Sequence, residues 1–356
     1  MHLGVKTKQT ASLFVFLLLS PFTYGGDEPP WDPLFQSDEV LELHITGPVS
    51  TLTQDRPDEE YLPANVSWVE PDGRTVSVDI KIRTRGNYRR KRDTCRFPPI
   101  RLNFKTSEVK NTIFHKQDAL KIITHCKDGS ERYEQGVIRE YLVYRMLNTL
   151  TDLSYRVRLL KVRYTDTESN RDDRINFAAV IEHKDRLAKR SDTKPLEVPW
   201  TSLASLDPEY TTLLAVFQYM IGNTDFSPIA GPPDEDCCHN VNLFSNDSGT
   251  VFPVPYDFDI TGMVNAPYAT PNPKFKLRNI RQRLYRGHCR HNEHLPTIVQ
   301  NFNDRRAALY ALVNDEESLT SSSRKSMLSY LDSFFKIIDK RSNLDKRIIR
   351  SCRQSS

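Results

Sequence analysis

Apolar and polar residues alternate with a period of two through the first half of the chain, and helical spacing replaces that alternation in the second half. The alternation runs through Val40-Leu41-Glu42-Leu43-His44-Ile45, Val66-Ser67-Trp68-Val69, residues 76–82, 100–104 and 119–123, with a turn at Pro71-Asp72-Gly73. This predicts a mostly antiparallel sheet. Residues 134–150 change period: Val137, Tyr141, Tyr144 and Leu147 recur at helical spacing. Strands are predicted again over 157–164 and 177–182, around a polar hairpin tip at 166–173. From about residue 207 the pattern is helical, as in Leu213–Met220, and 296–350 is helical and charged. The order predicts an α+β fold with a sheet-rich amino lobe, 26–190, and a helical carboxy lobe, 191–356. A length of 356 residues suits one large domain or two lobes sharing a cleft.

Residues 1–25 read as a secretory signal. Lys6 and Lys8 precede the apolar run Leu13–Leu19, and Pro21 and the small residues Gly25 and Gly26 follow. The run is too short for a mature membrane span, and no other stretch approaches the ~20 apolar residues that spanning needs. The expected location is outside the cytosol: secreted, periplasmic or in the cell envelope. In that setting the six cysteines predict disulfides, with the pairing left open. Cys237-Cys238 beside His239 lacks zinc-site spacing and reads as structural or redox-sensitive. A net charge of +4 does not argue for nucleic acid as a partner. The glycine-rich phosphate cradles GxGxxG and GxxxxGK[ST] do not occur.

Chemistry concentrates in three segments: Gly222-Asn223-Thr224-Asp225, His239-Asn240-Val241-Asn242, and Tyr256-Asp257-Phe258-Asp259. A helix ends at Ile221-Gly222 and a loop Asp follows. An Asn opens a short apolar strand, and a second short strand ends in two carboxylates flanking Phe258. Phosphoryl transfer uses such a set: one Asp positions the acceptor hydroxyl, while an Asn and another Asp hold Mg²⁺ against the phosphates. The basic run Arg85, Arg89-Arg90-Lys91-Arg92 falls at a turn between strands. Such runs are ordinarily solvated, but this position also suits phosphate contact. The Pro-rich stretch after Asn265 reads as a rigid loop or as an acceptor-shaping segment.

These segments resemble the atypical protein-kinase-like enzymes grouped with spore coat protein H and, more distantly, HipA kinases. Arg83-Thr84-Arg85-Gly86-Asn87 resembles the family's Arg-Gly turn, and Pro99–Lys105 the Lys-rich strand after it. Arg139-Glu140-Tyr141-Leu142 lies where the family's first helix lies, and Phe177–Glu182 resembles its hinge-leading strand. The resemblance covers residues 77–265. It implies a bilobal protein-kinase-like fold that binds ATP and Mg²⁺. Asp225 matches the catalytic Asp, Asn240 the metal-binding Asn, and Asp257 or Asp259 the metal-binding Asp. Arg85, Arg101, Lys105, Glu140 and Glu182 are the implied nucleotide-contacting residues, with Arg101 or Lys105 neutralising phosphate and Glu140 as the pairing acid.

The expected function is transfer of the ATP γ-phosphoryl group to a protein hydroxyl. The alternative is an inactive pseudokinase serving as an envelope or extracellular binding or structural protein. A glycosyltransferase using Asp257-Phe258-Asp259 would need a parallel nucleotide-binding sheet, against which the antiparallel first half speaks. The leader predicts that amino-terminal sequencing of exported protein will start near Gly26; a retained Met1 would contradict it.

Overall fold

The computed structural model describes residues 1–2 and 32–354, so the predicted leader lies outside the described residues apart from Met1 and His2. The described chain from Asp32 on belongs to one compact unit. Its first half holds β1 (Leu41–Gly47), α1 (Val49–Gln54), β2 (Leu62–Val69), β3 (Thr75–Thr84), β4 (Ile100–Phe104) and β5 (Ala119–Ile123). Helix α2 (Glu131–Leu150) and the hairpin β6 (Val157–Asp166) and β7 (Arg174–Ile181) follow. The second half comprises α3 (Lys184–Arg190), β8 (Lys194–Leu196), α4 (Pro208–Ile221), β9 (Val241–Ser245) and β10 (Val251–Pro255). It closes with α5 (Leu295–Asp304), α6 (Arg306–Asp315), α7 (Ser321–Ile338) and α8 (Arg341–Arg347). This is a two-lobe α+β arrangement, β-rich first and mostly helical second.

Among the described residues, seven strands close into a barrel in the order β1-β2-β3-β4-β5-β7-β6. Neighbours are antiparallel except β1 and β6, which run parallel with Leu41 opposite Leu160. The inner faces supply one core, including Leu43, Ile45, Val66, Ile82, Leu102, Leu120, Val162 and Val180. Residues 157–160 of β6 and 178–181 of β7 are buried on both faces, because Leu159, Ala179 and Ile181 point outward into a second core with α2, α4 and the last helices. Two-sided burial explains the unbroken apolar run over 177–181 in β7. The second core reaches back through α2, so residue 190 marks a change of element type rather than a gap in packing.

The candidate-site segments hang from α4 and from a small sheet ordered β10-β9-β8. β10 tolerates Pro253 and Pro255 because it is an edge strand. Asp207 caps α4 by accepting from the Tyr210 amide at 2.7 Å, and Pro208 fills its first turn. Gly222 ends α4 in the left-handed conformation at φ 68°. The Gly222 carbonyl accepts from the Gly262 amide at 3.1 Å, tying the Asp225 loop to the segment after Asp259.

Among the described residues, disulfides join Cys95 to Cys126, Cys237 to Cys238 and Cys289 to Cys352, which suits an oxidising compartment. Cys95–Cys126 closes 31 residues and anchors the basic turn to the end of β5; a loop of that size contributes about 3–4 kcal/mol on the chain-entropy account. Among the described residues no helix is long and apolar enough to cross a membrane.

A Cβ at Gly222 would collide with the Tyr330 hydroxyl. Left-handed backbone costs a non-glycine residue about 1–2 kcal/mol, and overpacking adds about 1–3 kcal/mol. Gly222→Ala should therefore lower the unfolding free energy by about 2–5 kcal/mol in urea titration; an unchanged midpoint would contradict this packing.

Candidate functional site

The excursion from Pro228 to Cys238 is pinched shut at its base, where Ser227 and His239 exchange backbone hydrogen bonds of 2.9 and 3.1 Å. This returns His239 and Asn240 to Asp225, across fifteen positions of sequence. His239 Nε2 lies 3.0 Å from Asp225 Oδ1. Asn240 Nδ2 donates to the Asp225 carbonyl at 2.7 Å and to Oδ2 at 3.2 Å. The Asp225 amide donates to Asn223 Oδ1 at 2.7 Å, and Asn223 is buried. The carboxylate is thus held by His239 and Asn240 and the backbone by Asn223 and Asn240, and the carboxylate still faces the cleft. The hydrogen bond to Asp225 raises the His239 pKa against the opposing effect of burial.

The carboxylates around Phe258 were expected at a strand end, but β10 stops at Pro255. The Tyr256 amide bonds the Asn240 carbonyl at 3.1 Å, and the chain then turns through a left-handed Asp257 at φ 63°. Phe258 is fully buried, 4.6 Å from the Tyr144 ring and 5.6 Å from Phe217. Asp257 and Asp259 both line the cleft but differ in surroundings. Asp259 is buried, accepts from Tyr268 Oη at 3.1 Å and lies 3.9 Å from Arg89 Nε. Burial, and then the Asp257 charge, push its pKa up to about 7. Asp257 is half-buried, and its amide bonds Tyr144 Oη at 2.8 Å. Among the described residues its carboxylate has no hydrogen bond or ion pair.

Facing these acids are Arg85 and Arg89 from the turn after β3, Arg101 on β4 and Lys121 on β5. Arg101 and Lys121 are register partners. The Nε atoms of Arg85, Arg89 and Arg101 are buried without a hydrogen-bond partner. Lys121 Nζ lies 5.0 Å from the Tyr256 ring centroid. Burial, then Arg85 and Arg101, lower the Lys121 pKa to about 8. The cleft encloses about 390 Å³. Arg101, Lys121 and Tyr256 also line an adjoining cavity of about 100 Å³, walled by Tyr155, Ile181 and Asn242.

Three of the expected residues have partners or positions of their own. Lys105 does not line the cleft: it follows β4, is exposed, and pairs with Glu108 at 2.9 Å. It shares a strand face with Arg101, but at ~3.4 Å per residue it lies roughly 13 Å further along. The cation nearest Glu140 is Arg89, at 3.8 Å, rather than Arg101 or Lys105. Glu140 is buried on α2, and desolvation and then Asp259 raise its pKa well above the ordinary range. Glu182 borders the smaller cavity, but its carboxylate is taken by Arg190 at 2.8 and 2.9 Å and by the Arg156 amide at 3.0 Å. Arg85, Arg101, Asp225, Asn240, Asp257 and Asp259 do converge on one cleft. Lys121 was missed, although it occupies the polar phase of the β5 alternation.

Among the described residues, no group of three or more His, Cys, Asp or Glu could hold a metal ion. Magnesium does not require one, since one or two carboxylates complete its shell with water and substrate phosphates. Asn240 uses its amide nitrogen on Asp225, leaving Oδ1 free of hydrogen bonds in the cleft that Asp257 also lines. These hard oxygen donors fit that ion. No family model matches the chain, and no curated protein matches it.

Lys121 carries a pH prediction. Between pH 8 and 10.5 the unfolded chain keeps a proton that the folded chain has released, so stability rises with pH across that window. Lys121→Met should flatten this rise and raise the urea midpoint at pH 7; an unaltered pH profile would contradict it.

Proposed function

We propose that the chain is a kinase-like phosphotransferase, related to the spore coat protein H group, that moves the ATP γ-phosphoryl group to a protein hydroxyl. One observation carries the reading. A wall of buried and half-buried cations, three of them with a buried Nε that lacks a hydrogen-bond partner, faces a fixed Asp225 and the free oxygens of Asn240 and Asp257. Arg85, Arg101 and Lys121 repel one another, and a bound polyphosphate relieves that repulsion. The adjoining cavity, with Tyr155, Ile181 and Tyr256, offers apolar and aromatic walls to the rest of the nucleotide.

Asn240 and Asp257 would hold Mg²⁺, which draws charge from the β- and γ-phosphates. Asp259 is the weaker ligand, because Tyr268 and Arg89 already engage it. Asp225 orients the acceptor hydroxyl and takes its proton. The new bond joins the acceptor oxygen to the γ-phosphorus, the bridging P–O bond to the β-phosphate breaks, and ADP leaves. His239 and Asn240 keep the Asp225 carboxylate from rotating away. Disulfides and a leader support action outside the cytosol.

Asp225→Ala should cut phosphoryl transfer about 100-fold or more and leave nucleotide affinity within about threefold. Asp257→Ala should weaken Mg²⁺-dependent nucleotide binding at least about tenfold. Calorimetry with a non-hydrolysable ATP analogue, beside an autophosphorylation assay, checks both. Nucleotide binding without labelling would favour the inactive alternative, and no nucleotide binding would end the kinase reading.

A further inference from the structure

Beside the cleft lies a second, more open groove of about 470 Å³, between the end of α1 and the basic turn after β3. Asn87 lines both concavities, so the groove lies next to the cleft. Its walls carry Arg56, Arg90, Lys91 and Arg92. Arg56 donates to the carbonyls of Thr53, Arg90, Cys95 and Arg96. Arg92 donates to the Gln54 carbonyl. These acceptors are neutral, so they orient the guanidinium groups without cancelling their charge. Asp58 offsets Arg90 at 2.6 Å. Lys91 is exposed, with no ion pair among the described residues. Asp55 is the one acid among the lining residues, so positive charge is left over.

We infer that this groove docks an acidic stretch of the polypeptide whose hydroxyl enters the cleft. The inference rests on the kinase reading for its link to a reaction. The groove carries four cations, Arg56, Arg90, Lys91 and Arg92, against one lining acid, which matches a chain with several carboxylates better than a singly charged anion. The Cys95–Cys126 disulfide closes the same turn, so these charges are held before a partner arrives. Arg56 and Arg92 crowd each other, a repulsion that bound carboxylates relieve. The groove thereby names the acceptor class: a hydroxyl flanked by Asp or Glu.

The test uses the exported chain saturated with a non-hydrolysable ATP analogue and Mg²⁺, so that the cleft cations are occupied. Fluorescence anisotropy compares labelled serine peptides flanked by Glu, by Gln or by Lys. The Glu peptide should bind at least about tenfold tighter than the Gln peptide at low salt, and the margin should shrink as salt rises. Of the basic run, Arg85 and Arg89 line the cleft whereas Lys91 and Arg92 line only the groove, so Lys91→Glu with Arg92→Glu should abolish the preference while nucleotide affinity stays unchanged. Both residues are exposed, and Lys91→Ala alone serves as a milder variant. Equal binding of the three peptides, or a preference that survives charge reversal, overturns the inference. Binding of a heparin oligosaccharide without the Glu peptide also overturns it. If the wild type binds no nucleotide, the kinase reading falls, and the peptide preference and its loss on charge reversal still decide the docking site.

Discussion

Burial of Phe258 organises the centre of the molecule. Its ring enters the core between Tyr144 of α2 and Phe217 of α4, and a fully buried aromatic side chain contributes on the order of 2–3 kcal/mol by area alone. The residues on either side are then carried to the cleft with little freedom. Asp257 is turned by its left-handed backbone and held through its amide by Tyr144. Asp259 is drawn under Tyr268 and Arg89. Two acids that a regular strand would leave to solvent are thus presented by one hydrophobic anchor, each with its own surroundings.

The opposite wall depends on the barrel. Closing β5 onto β7 sets Lys121 beside the inter-lobe connection, and the antiparallel register of β4 and β5 puts Arg101 opposite it. Arg89 reaches between Glu140 and Asp259, linking the barrel turn, α2 and the segment after β10. The result is charge separation across a narrow space: cations on the barrel side, free oxygens on the helical side. Such an arrangement costs folding free energy when empty, since like charges are crowded and partly desolvated. On the proposed reading a bound polyphosphate offsets that cost. Glu182 with Arg190 is the contrast: a buried pair with good geometry and nothing left over.

Much of the chain was legible locally. The two-residue alternation located β1 to β5 to within a few residues, because each of these strands buries one face in the barrel. Asp207, Pro208 and Gly222 bracket α4 with the residues that helix ends require. The short elements α1, α3 and β8 escaped, since a single turn or a three-residue strand has no periodicity to read. The strand end before Asp257 was misplaced because a left-handed Asp breaks a strand without any change in composition.

The sequence by itself determined which residues were polar within apolar frames, where α4 began and ended, and that Asp225, Asn240 and Asp257 follow one another in a chemically sensible order. It could not decide distance. Barrel closure through the parallel β1–β6 pair, the pinch of Ser227 on His239, and the choice of Arg89 as the neighbour of Glu140 depend on contacts between residues far apart in the chain. Lys105 and Lys121 are both cations at strands of the same sheet, and composition does not separate them. A rise of ~3.4 Å per residue along the strand puts one among solvent and Glu108 and the other in the cleft.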